Sequence, residues 1–338
     1  MGATLNERGR IAGIALLAAW ILTFEAVGSF ARVQPDALSR FSYTEYHMGV
    51  DARLVVYARD RRIAETACAA AYERIAALDT MMSDYRKDSE LNLLSDAAGG
   101  PPVRVSHELF KVLERAQRIS RESGGCFDVT VGPVVQLWRK ARKTGKLPDP
   151  PELAAARKLV GWRMVTLDPV AETVRLAKPG MRLDLGAIAK GYAADQALFS
   201  FKSHGIKQAM VDIGDIALGD PPPGKKGWSI SIPDAGRTPA LMLLSNCATS
   251  SSGDTEQHVI IGGREYSHVV DPHTGMALTN RVQATVIARD GFTSDPLSTC
   301  MTMLGPAGRK RMLKLYPGSK AFVRRLSLRA DKPTSLRT

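Results

Sequence analysis

The residues best suited to chemistry lie where a predicted strand, Met181–Leu185, passes into a predicted helix over about Ala187–Phe201. Lys190 falls in the first turn of that helix. Amide N–H groups at a helix start, together with one ammonium group, form a site for an anion such as phosphate. The spacing matches neither a G-x-G-x-x-G fingerprint nor a P-loop. A glycine-bounded turn with a surface lysine explains the stretch equally well, so the pattern indicates an anion site without identifying the anion.

A carboxylate and a hydroxyl stand four residues apart in the stretch Thr293–Thr299. Pro296 suits the first turn of a helix, which places Asp295 at the helix start. Asp295 and Thr299 then share one helix face. Both supply hard oxygen donors of the kind that Mg²⁺ prefers. Two oxygen atoms alone are a weak metal signal, and capping of the helix by Asp295 is the competing interpretation.

Two further stretches have the features of binding loops. His268 lies near the end of a predicted strand, Glu265–Val270, ahead of a rigid Asp-Pro-His-Thr-Gly turn. A single histidine in such a place is more often structural than catalytic, although loops commonly carry function. The stretch Gly124–Pro133 joins two predicted helices, and its glycines allow the main chain to approach a ligand closely. Taken alone, it is also an ordinary glycine-rich connection.

The elements that must position these stretches follow from apolar periodicity and capping signals. The other predicted helices are Ala64–Met81, a helix from an N-cap at Ser106 to about Glu122, one after Gly132-Pro133, Glu152–Leu159, and two that begin near Ser294 and Ala307. The other predicted strands are Gly49–Tyr57, Met164–Leu167, Thr173–Leu176, Gln208–Ile213, Trp228–Ile232, Ala240–Leu244, His258–Ile261 and Gln283–Ala288. Strands in blocks, separated by helices without strict alternation, predict an α+β fold of mixed, largely antiparallel sheets with packed helices.

The N-terminus has the pattern of an export signal. The apolar run Ile11–Phe24 has the length of a signal-peptide core and is short for a bilayer crossing. Ser29-Phe30-Ala31 offers a small-x-small cleavage site. An uncleaved anchor that runs on to Ala31 is the alternative, but it would place Glu25 inside the membrane. We therefore expect residues 1–31 to be a signal peptide or an N-terminal anchor.

Charge and cysteine usage narrow the function classes. Most of the formal net charge of +12 lies after Arg309, but the chain has no zinc spacing and no basic stripe interleaved with aromatic residues, so nucleic-acid binding is not expected. Residues 324–338 are basic and polar, which predicts a disordered tail. The four cysteines are far apart and contain no C-x-x-C pair. An exported chain could oxidise them, but a domain of this size does not need a disulfide, and most are expected to be buried, inert thiols.

In this order, the four stretches together resemble the FAD:protein FMN transferase family, the ApbE-like flavin transferases. The resemblance covers about Met48 to Gly305 and is specific as an ordered set. Five further segments match: His47-Met48-Gly49, Ser83–Arg86, Ser89–Asn92, Asp212–Asp215 and Thr249–Gly253. One departure is Cys126, which stands where the family usually has alanine or another small residue.

The resemblance implies roles for individual residues. The residues that would line the FAD site are Met48, Tyr85, Cys126, Phe127, Asp128, Asp184, Lys190 and Val270. The metal ligands would be Ala187, through its backbone carbonyl, with Asp295 and Thr299. His268 matches a histidine proposed to deprotonate the acceptor threonine.

The function implied by the resemblance is Mg²⁺-dependent transfer of the FMN half of FAD to a threonine of an acceptor flavoprotein, with release of AMP. Residues 32–323 would form the catalytic domain. The acceptor would be a membrane-associated electron-transfer subunit, and the enzyme would be exported, either periplasmic or associated with the outer face of the inner membrane. Two alternatives stay open: a Mg²⁺-dependent FAD pyrophosphatase that yields free FMN and AMP, and a flavin-binding assembly protein without turnover.

Overall fold

The computed structural model describes residues 37–232, 240–253 and 258–326. These residues form helices, a 3₁₀ turn at Trp162–Met164 and strands that pair into four sheets, which confirms the predicted α+β class. The helices are α1 (Arg61–Met82), α2 (Glu90–Asp96), α3 (His107–Ser123), α4 (Gly132–Thr144), α5 (Pro150–Arg157), α6 (Ala189–Ser203), α7 (Gly291–Met303) and α8 (Pro306–Leu315). The strands are β1 (Ser39–His47), β2 (Val50–Ala58), β3 (Val103–Arg104), β4 (Val165–Asp168), β5 (Thr173–Leu176), β6 (Ala209–Asp212), β7 (Ile216–Leu218), β8 (Trp228–Ile232), β9 (Ala240–Leu244), β10 (Cys247–Ser252), β11 (His258–Ile261), β12 (Arg264–Ser267), β13 (Val282–Ala288) and β14 (Lys320–Arg325).

The largest sheet has seven strands in the order β1-β2-β6-β7-β10-β13-β14. Every neighbouring pair in it is antiparallel. The smaller sheets are β3-β5-β4, β8-β9 and β11-β12, and their pairs are antiparallel as well. The predicted predominance of antiparallel pairing is therefore confirmed for the described residues.

The two faces of the seven-stranded sheet are covered by different elements. Strand side chains alternate between faces, and β2 shows this clearly. Leu54 and Val56 belong to the main hydrophobic core, which includes residues of α1, α6 and α7. Val55 points to the opposite face and packs in a second cluster with Trp228 and Ile230 of the β8-β9 hairpin. The helices that carry the predicted site residues thus lie on one face of the sheet, and the hairpin lies on the other.

Local capping explains why α3 was predictable. The Ser106 side chain accepts a hydrogen bond from Leu109 N at 3.2 Å, so it satisfies one of the unpaired amides of the first turn. Gly124 ends the helix in the left-handed conformation at φ 70°, which costs glycine little. Both signals are local, and the observed bounds of α3 agree with the prediction.

The predicted strand Met181–Leu185 is wrong. Within it, only Arg182 forms a β-bridge, a parallel one with Val131, and Asp184 N donates to Val129 O at 2.8 Å. The close approach depends on Gly132, because a Cβ atom there would lie 2.7 Å from Arg182 O. The segment is therefore paired with the loop Gly124–Pro133 and not with a sheet.

Other elements were missed because their sequence signals are weak. The missed elements are β1, α2, β3, β7, β10 and β14. The serine-rich strand β10 lies inside the large sheet between β7 and β13. Its polarity hides it from an apolar-pattern search. Ser250 and Ser252 contact hydroxyl groups of α7, and Ser251 Oγ lies 2.7 Å from Thr285 Oγ1 of β13.

Both predicted terminal segments lie largely outside the described residues. The predicted signal peptide or anchor, residues 1–31, lies outside the described residues, as do residues 327–338 of the predicted tail. The tail prediction is wrong at its start, because β14 continues to Arg325 and pairs with β13. Arg324 Nε also donates to Gln283 Oε1 at 2.7 Å. No helix within the described ranges combines the length and apolar character needed to cross a membrane.

Candidate active site

Helices α6 and α7 cross in direct backbone contact. A Cβ atom on Gly191 would lie 2.1 Å from Gly291 O, and one on Gly291 would lie 2.3 Å from Gly191 O. The Gly191 N–H donates to Asp295 Oδ2 at 3.1 Å. The crossing therefore brings the Asp295 carboxylate against the first turn of α6, the same turn that carries Lys190.

Asp295 does not lie at the start of α7, which corrects the prediction. The helix begins at Gly291, so Asp295 and Pro296 lie inside it. The first turn is held by Asp195 of α6, whose two carboxylate oxygens accept from the Gly291 and Phe292 amides at 2.8 Å each. Because this cap comes from another helix, the local sequence does not show it. Asp295 is also buried, with 6% of its surface exposed, and it is not a surface cap.

A second buried carboxylate, Asp215, lies beside Asp295 in the turn between β6 and β7. Burial, and then the neighbouring charge of Asp215, raise the pKa of Asp295 well above its usual value, while Lys190 opposes the shift. Burial likewise raises the pKa of Asp215, and Lys190 and a hydrogen bond from Ser250 oppose it. Lys190 thus faces two carboxylates in a water-poor environment. We call Lys190, Asp215 and Asp295 the acid cluster.

Hydroxyl groups of β10 complete the surroundings of the acid cluster. Ser250 Oγ lies 2.7 Å from Ser294 Oγ, and Thr299 Oγ1 donates to Ser252 Oγ at 3.4 Å. Asp295 and Thr299 are four residues apart in α7, so they share one helix face as predicted. The strand residues Ser250 and Ser252 were not predicted as site residues, although the segment Thr249–Gly253 was recognised as a match to the family.

The donor set fits a small, hard cation. Asp215 Oδ2 is buried without a hydrogen-bond partner among the described residues, and one lysine balances two carboxylates there. Within those ranges, no three His, Cys, Asp or Glu side chains cluster as a metal site. The predicted ligand set depends instead on one carboxylate, one hydroxyl and the carbonyl of Ala187, which lies half-buried in the turn before α6. Oxygen donors of mixed type with few carboxylates suit Mg²⁺, which keeps part of its shell for water and phosphate.

Arg139 of α4 organises a second part of the site. Its guanidinium donates to Asp184 Oδ2 at 3.1 Å and also pairs with Asp84. It lies over the Tyr85 ring, 4.2 Å from the ring centroid. Burial, and then the charge of Asp84, raise the pKa of Asp184, and Arg139 opposes this. Asp184 also accepts from Gly186 N at 2.8 Å. Arg139 was not predicted as a site residue, because a single arginine in an amphipathic helix resembles a solvent-exposed residue.

The glycine-rich loop uses its own side chains for internal bonds. Asp128 Oδ1 accepts from Thr130 N at 2.9 Å and from Thr130 Oγ1 at 2.6 Å, and its Oδ2 accepts from Trp162 N at 2.7 Å. Burial is the main cause that raises the pKa of Asp128. Phe127 is buried in the main core, and Cys126 is buried beside α7. The loop therefore offers a ligand a rigid main chain more than free side chains.

The predicted turn after His268 is present and meets the glycine-rich loop. Gly275 N donates to Asp271 O at 2.8 Å, and Thr274 Oγ1 donates to Asp271 Oδ2 at 3.0 Å. His273 Nε2 lies 3.2 Å from Gly124 O. His268 is half-buried and directly follows β12.

The remaining predicted residues lie on separate turns. Met48 forms the tight β1-β2 turn with Gly49, both at positive φ, and packs partly against the main core. Tyr85 is 75% exposed, whereas Val270 is buried in a third cluster with Trp138 and Tyr266. Contacts between the four stretches thus join the predicted loops and helix starts into one region. Of the predicted FAD residues, Tyr85 is the most open to solvent.

Comparison with known proteins agrees with this arrangement. The model of the ApbE family matches residues 48–323. A FAD:protein FMN transferase of Treponema pallidum is 33% identical over 318 residues, which cover 87% of this chain and 86% of the relative. A FAD:protein FMN transferase of Klebsiella pneumoniae is 29% identical over 272 residues, which cover 78% of this chain and 83% of the relative. The solved flavin transferase ApbE of Vibrio cholerae superposes with a TM-score of 0.75 at 28% identity, over 85% of this chain and 97% of the other. The protein therefore belongs to the ApbE family.

Proposed function

We propose that the protein transfers the FMN half of FAD to a threonine of an acceptor flavoprotein and releases AMP. The observation that supports this most directly is the acid cluster, which lies at the start of α6 where a pyrophosphate would meet Lys190. The named relatives are FAD:protein FMN transferases. The Asp295 carboxyl group and the Lys190 ammonium group lie together, a combination that a simple flavin-binding protein does not require.

Binding of the pyrophosphate would use the first turn of α6. Ile188 precedes the helix and provides no side-chain cap. The Ala189 amide donates to Leu185 O at 2.8 Å and the Gly191 amide donates to Asp295 Oδ2 at 3.1 Å, so an anion here would depend on the positive end of the helix dipole and on the Lys190 side chain. Lys190 adds a full positive charge in a region of low water content. This charge offsets the negative charge that grows on the departing phosphate.

Asp295, Thr299 and the Ala187 carbonyl would hold Mg²⁺, which when bound supplies charge neutralisation on the pyrophosphate. Asp215 lies next to this set and adds a second carboxyl group. The Gly191–Asp295 hydrogen bond holds the Asp295 carboxyl group in place.

The transfer step requires a base for the acceptor hydroxyl. We assign this role to His268, which follows β12 and is half-buried. The threonine oxygen forms a bond to the FMN phosphorus, and the bond from that phosphorus to the AMP oxygen breaks. The threonine proton passes to the His268 imidazole, and AMP leaves with the electron pair of the broken bond. The product carries flavin in a phosphoester linkage.

The acceptor and the location belong to the same proposal. We expect the acceptor to be a membrane-associated electron-transfer subunit that presents a threonine in a short recognition motif. The enzyme would act after export, in the periplasm or at the outer face of the inner membrane.

The decisive experiment incubates the purified protein with FAD, Mg²⁺ and a candidate acceptor subunit, and then weighs the acceptor by mass spectrometry. We expect a mass increase equal to one FMN moiety, with one AMP released per acceptor. The acceptor with its target threonine changed to alanine is the control and should gain no mass. Release of equal FMN and AMP, with no labelled acceptor, would instead establish the pyrophosphatase. Absence of any AMP would leave only flavin binding.

A further inference from the structure

We propose that Cys126 and Cys300 close to an intramolecular disulfide that ties the glycine-rich loop Gly124–Pro133 to helix α7. Cys126 lies in the loop, and Cys300 lies in α7 directly after Thr299. Cys126 Sγ is 3.9 Å from the carbonyl oxygen of Cys300. Although 173 residues separate them in the chain, the fold brings these two side chains together.

The two thiols also contact each other. The Cys126 and Cys300 side chains form a hydrogen bond with each other. Cys126 is 6% exposed and Cys300 is fully buried. The two sulfur atoms therefore face each other in one buried place, and a disulfide forms there if the side chains bring their Cβ atoms to about 3.5–4.5 Å.

The other cysteines lie in different surroundings. Cys68 belongs to α1 and packs in the main core. Cys247 begins β10 and packs against the second cluster, on the opposite face of the sheet. They therefore serve as internal controls that should stay reduced while Cys126 and Cys300 pair.

The timing of oxidation follows from burial. Cys300 is fully buried in the folded protein, where an external disulfide does not reach it. It therefore exchanges most readily during folding, before α7 packs into the main core. The oxidant is a small-molecule or protein disulfide of the kind present in oxidising compartments. In the exchange, the donor S–S bond breaks and the Cys126–Cys300 S–S bond forms. Two protons pass from the protein thiols to the donor sulfurs, so the protein loses two electrons and the donor becomes two thiols.

The disulfide would link two segments of the candidate active site covalently. The loop holds Asp128 in place, and α7 carries Asp295 and Thr299. A cross-link that closes a long loop restricts the unfolded chain and so favours the folded state. The oxidised protein should therefore resist denaturation better than the reduced protein.

The test counts thiols. The full chain is unfolded in urea with dithiothreitol and refolded in a glutathione redox buffer. It is then alkylated with N-ethylmaleimide under denaturing conditions and analysed by peptide mass spectrometry. We expect alkylation at Cys68 and Cys247 only, together with one linked peptide pair that contains Cys126 and Cys300 and is two hydrogen masses lighter than the reduced pair. Alkylation of all four cysteines, or a link that involves Cys68 or Cys247, would overturn the proposal.

Variants separate the disulfide from general effects of folding. The double variant C68S/C247S should keep the link and should show a higher urea midpoint when oxidised than when reduced. C126A and C300A should each show the same midpoint under both conditions. Equal midpoints for oxidised and reduced C68S/C247S would contradict the stabilising role. The thiol count requires neither FAD nor an acceptor, so its outcome is independent of the proposed transferase activity.

Discussion

Arg139 shows how a single side chain sets the charge balance of a site. It is the cation shared by Asp84 and Asp184, and it lies over the exposed Tyr85 ring. Both carboxylates are largely shielded, with 16% and 11% of their side-chain surface exposed. Removing one partner of a shielded pair leaves an uncompensated charge, which costs more than the pair itself contributes.

We therefore predict that Arg139→Met lowers the free energy of unfolding by about 2–3 kcal/mol, a value reduced from that of a fully buried pair because Arg139 keeps some exposure. The KM for FAD should rise as well, because Tyr85 loses its support. Urea denaturation and steady-state kinetics measure the two effects. Arg61→Met is the matched control. Its pair with Glu65 is an exposed i,i+4 pair, and its loss should cost less than about 0.5 kcal/mol. Equal losses in the two variants would show that Arg139 has no special role.

His268 gives the sharpest separation of transfer from binding. His268→Ala should slow labelling of the acceptor by about a hundredfold or more, because it removes the proposed base for the threonine hydroxyl. FAD affinity should survive, since the proposed pyrophosphate contacts lie at α6. His204→Ala, at the exposed end of α6, is the control. Melting temperature, FAD affinity and labelling rate should be measured on the same samples. Normal labelling by a stable, FAD-bound variant would remove His268 from the mechanism.

At the scale of elements, the α6-α7 crossing fixes where the acid cluster lies. Gly191→Ala would place a methyl group against Gly291 O, so the helices must separate. Alanine has a higher helix propensity than glycine, which by itself would stabilise α6. Overpacking of this kind costs about 1–3 kcal/mol and opposes that gain. We expect a clear net loss of stability and a larger loss of activity, because Asp295 moves away from the Gly191 amide. Gly305→Ala, where nothing lies within 4 Å, should be nearly neutral. Thermal unfolding and AMP release compare the two variants, and equal melting temperatures would show that the crossing tolerates a methyl group.

The cap of α7 predicts a dependence of stability on pH. Burial raises the pKa of Asp195 to about 6, although the Gly291 and Phe292 amides favour its ionised form. Because the folded state holds this proton more tightly than the unfolded state, Asp195 lowers the free energy of unfolding as pH rises from about 4 to about 6. Asp290 and Asp215 lie near enough to add to the shift.

Asp195→Asn should remove this dependence, but it also loses one of the two hydrogen bonds that cap α7, because only one side-chain atom of asparagine accepts. The difference in unfolding free energy between wild type and variant should therefore change by about 2 kcal/mol across that pH window, in favour of wild type at the acidic end. Urea titrations at several pH values measure the difference. A constant difference would show that Asp195 titrates normally.

The same elements show what the sequence can and cannot reveal. The bounds of α3 were predictable because Ser106 and Gly124 act within their own turns. The start of α7 was not, because its cap is Asp195, about a hundred residues away along the chain. The segment Met181–Leu185 looked like a strand, since its apolar residues are buried, yet its partner is the loop at Val131. Local signals were thus reliable, whereas partners supplied by the tertiary fold were not visible.

The candidate site follows the same rule. Lys190, Asp295 and Thr299 could be predicted from the sequence, and the structure places the Asp295 carboxyl group and the Thr299 hydroxyl group on one face of α7. Asp215 and Ser250 join them only because the β6-β7 turn and β10 reach the same point. Residues that act through such long-range contacts have no spacing of their own to recognise.

On the scale of the whole molecule, the acid cluster joins elements from distant parts of the chain. Lys190 belongs to α6, Asp215 to the β6-β7 turn and Asp295 to α7. Ser250, which lies beside the cluster, belongs to β10. These elements also pack in the main core, so the cluster lies at the centre of the cooperative unit. A ligand that binds this cluster should therefore stabilise the whole fold and not merely order one loop.

We predict that Mg²⁺ raises the melting temperature of the wild-type protein at constant ionic strength. A cation that binds only the folded state at a concentration of about 100 times its Kd contributes about 2.7 kcal/mol. In EDTA, Asp295→Asn should melt at or above the wild-type temperature, because it relieves the repulsion between Asp215 and Asp295. Mg²⁺ should not raise the melting temperature of this variant, and the variant should not release AMP. Asp96→Asn, which changes an exposed carboxylate paired with Arg182, should keep the full response to Mg²⁺. Differential scanning fluorimetry with Mg²⁺ and with EDTA measures all three proteins. An equal Mg²⁺ response in Asp295→Asn and wild type would place the metal elsewhere, and a response that K⁺ reproduces would reduce it to general screening of charge.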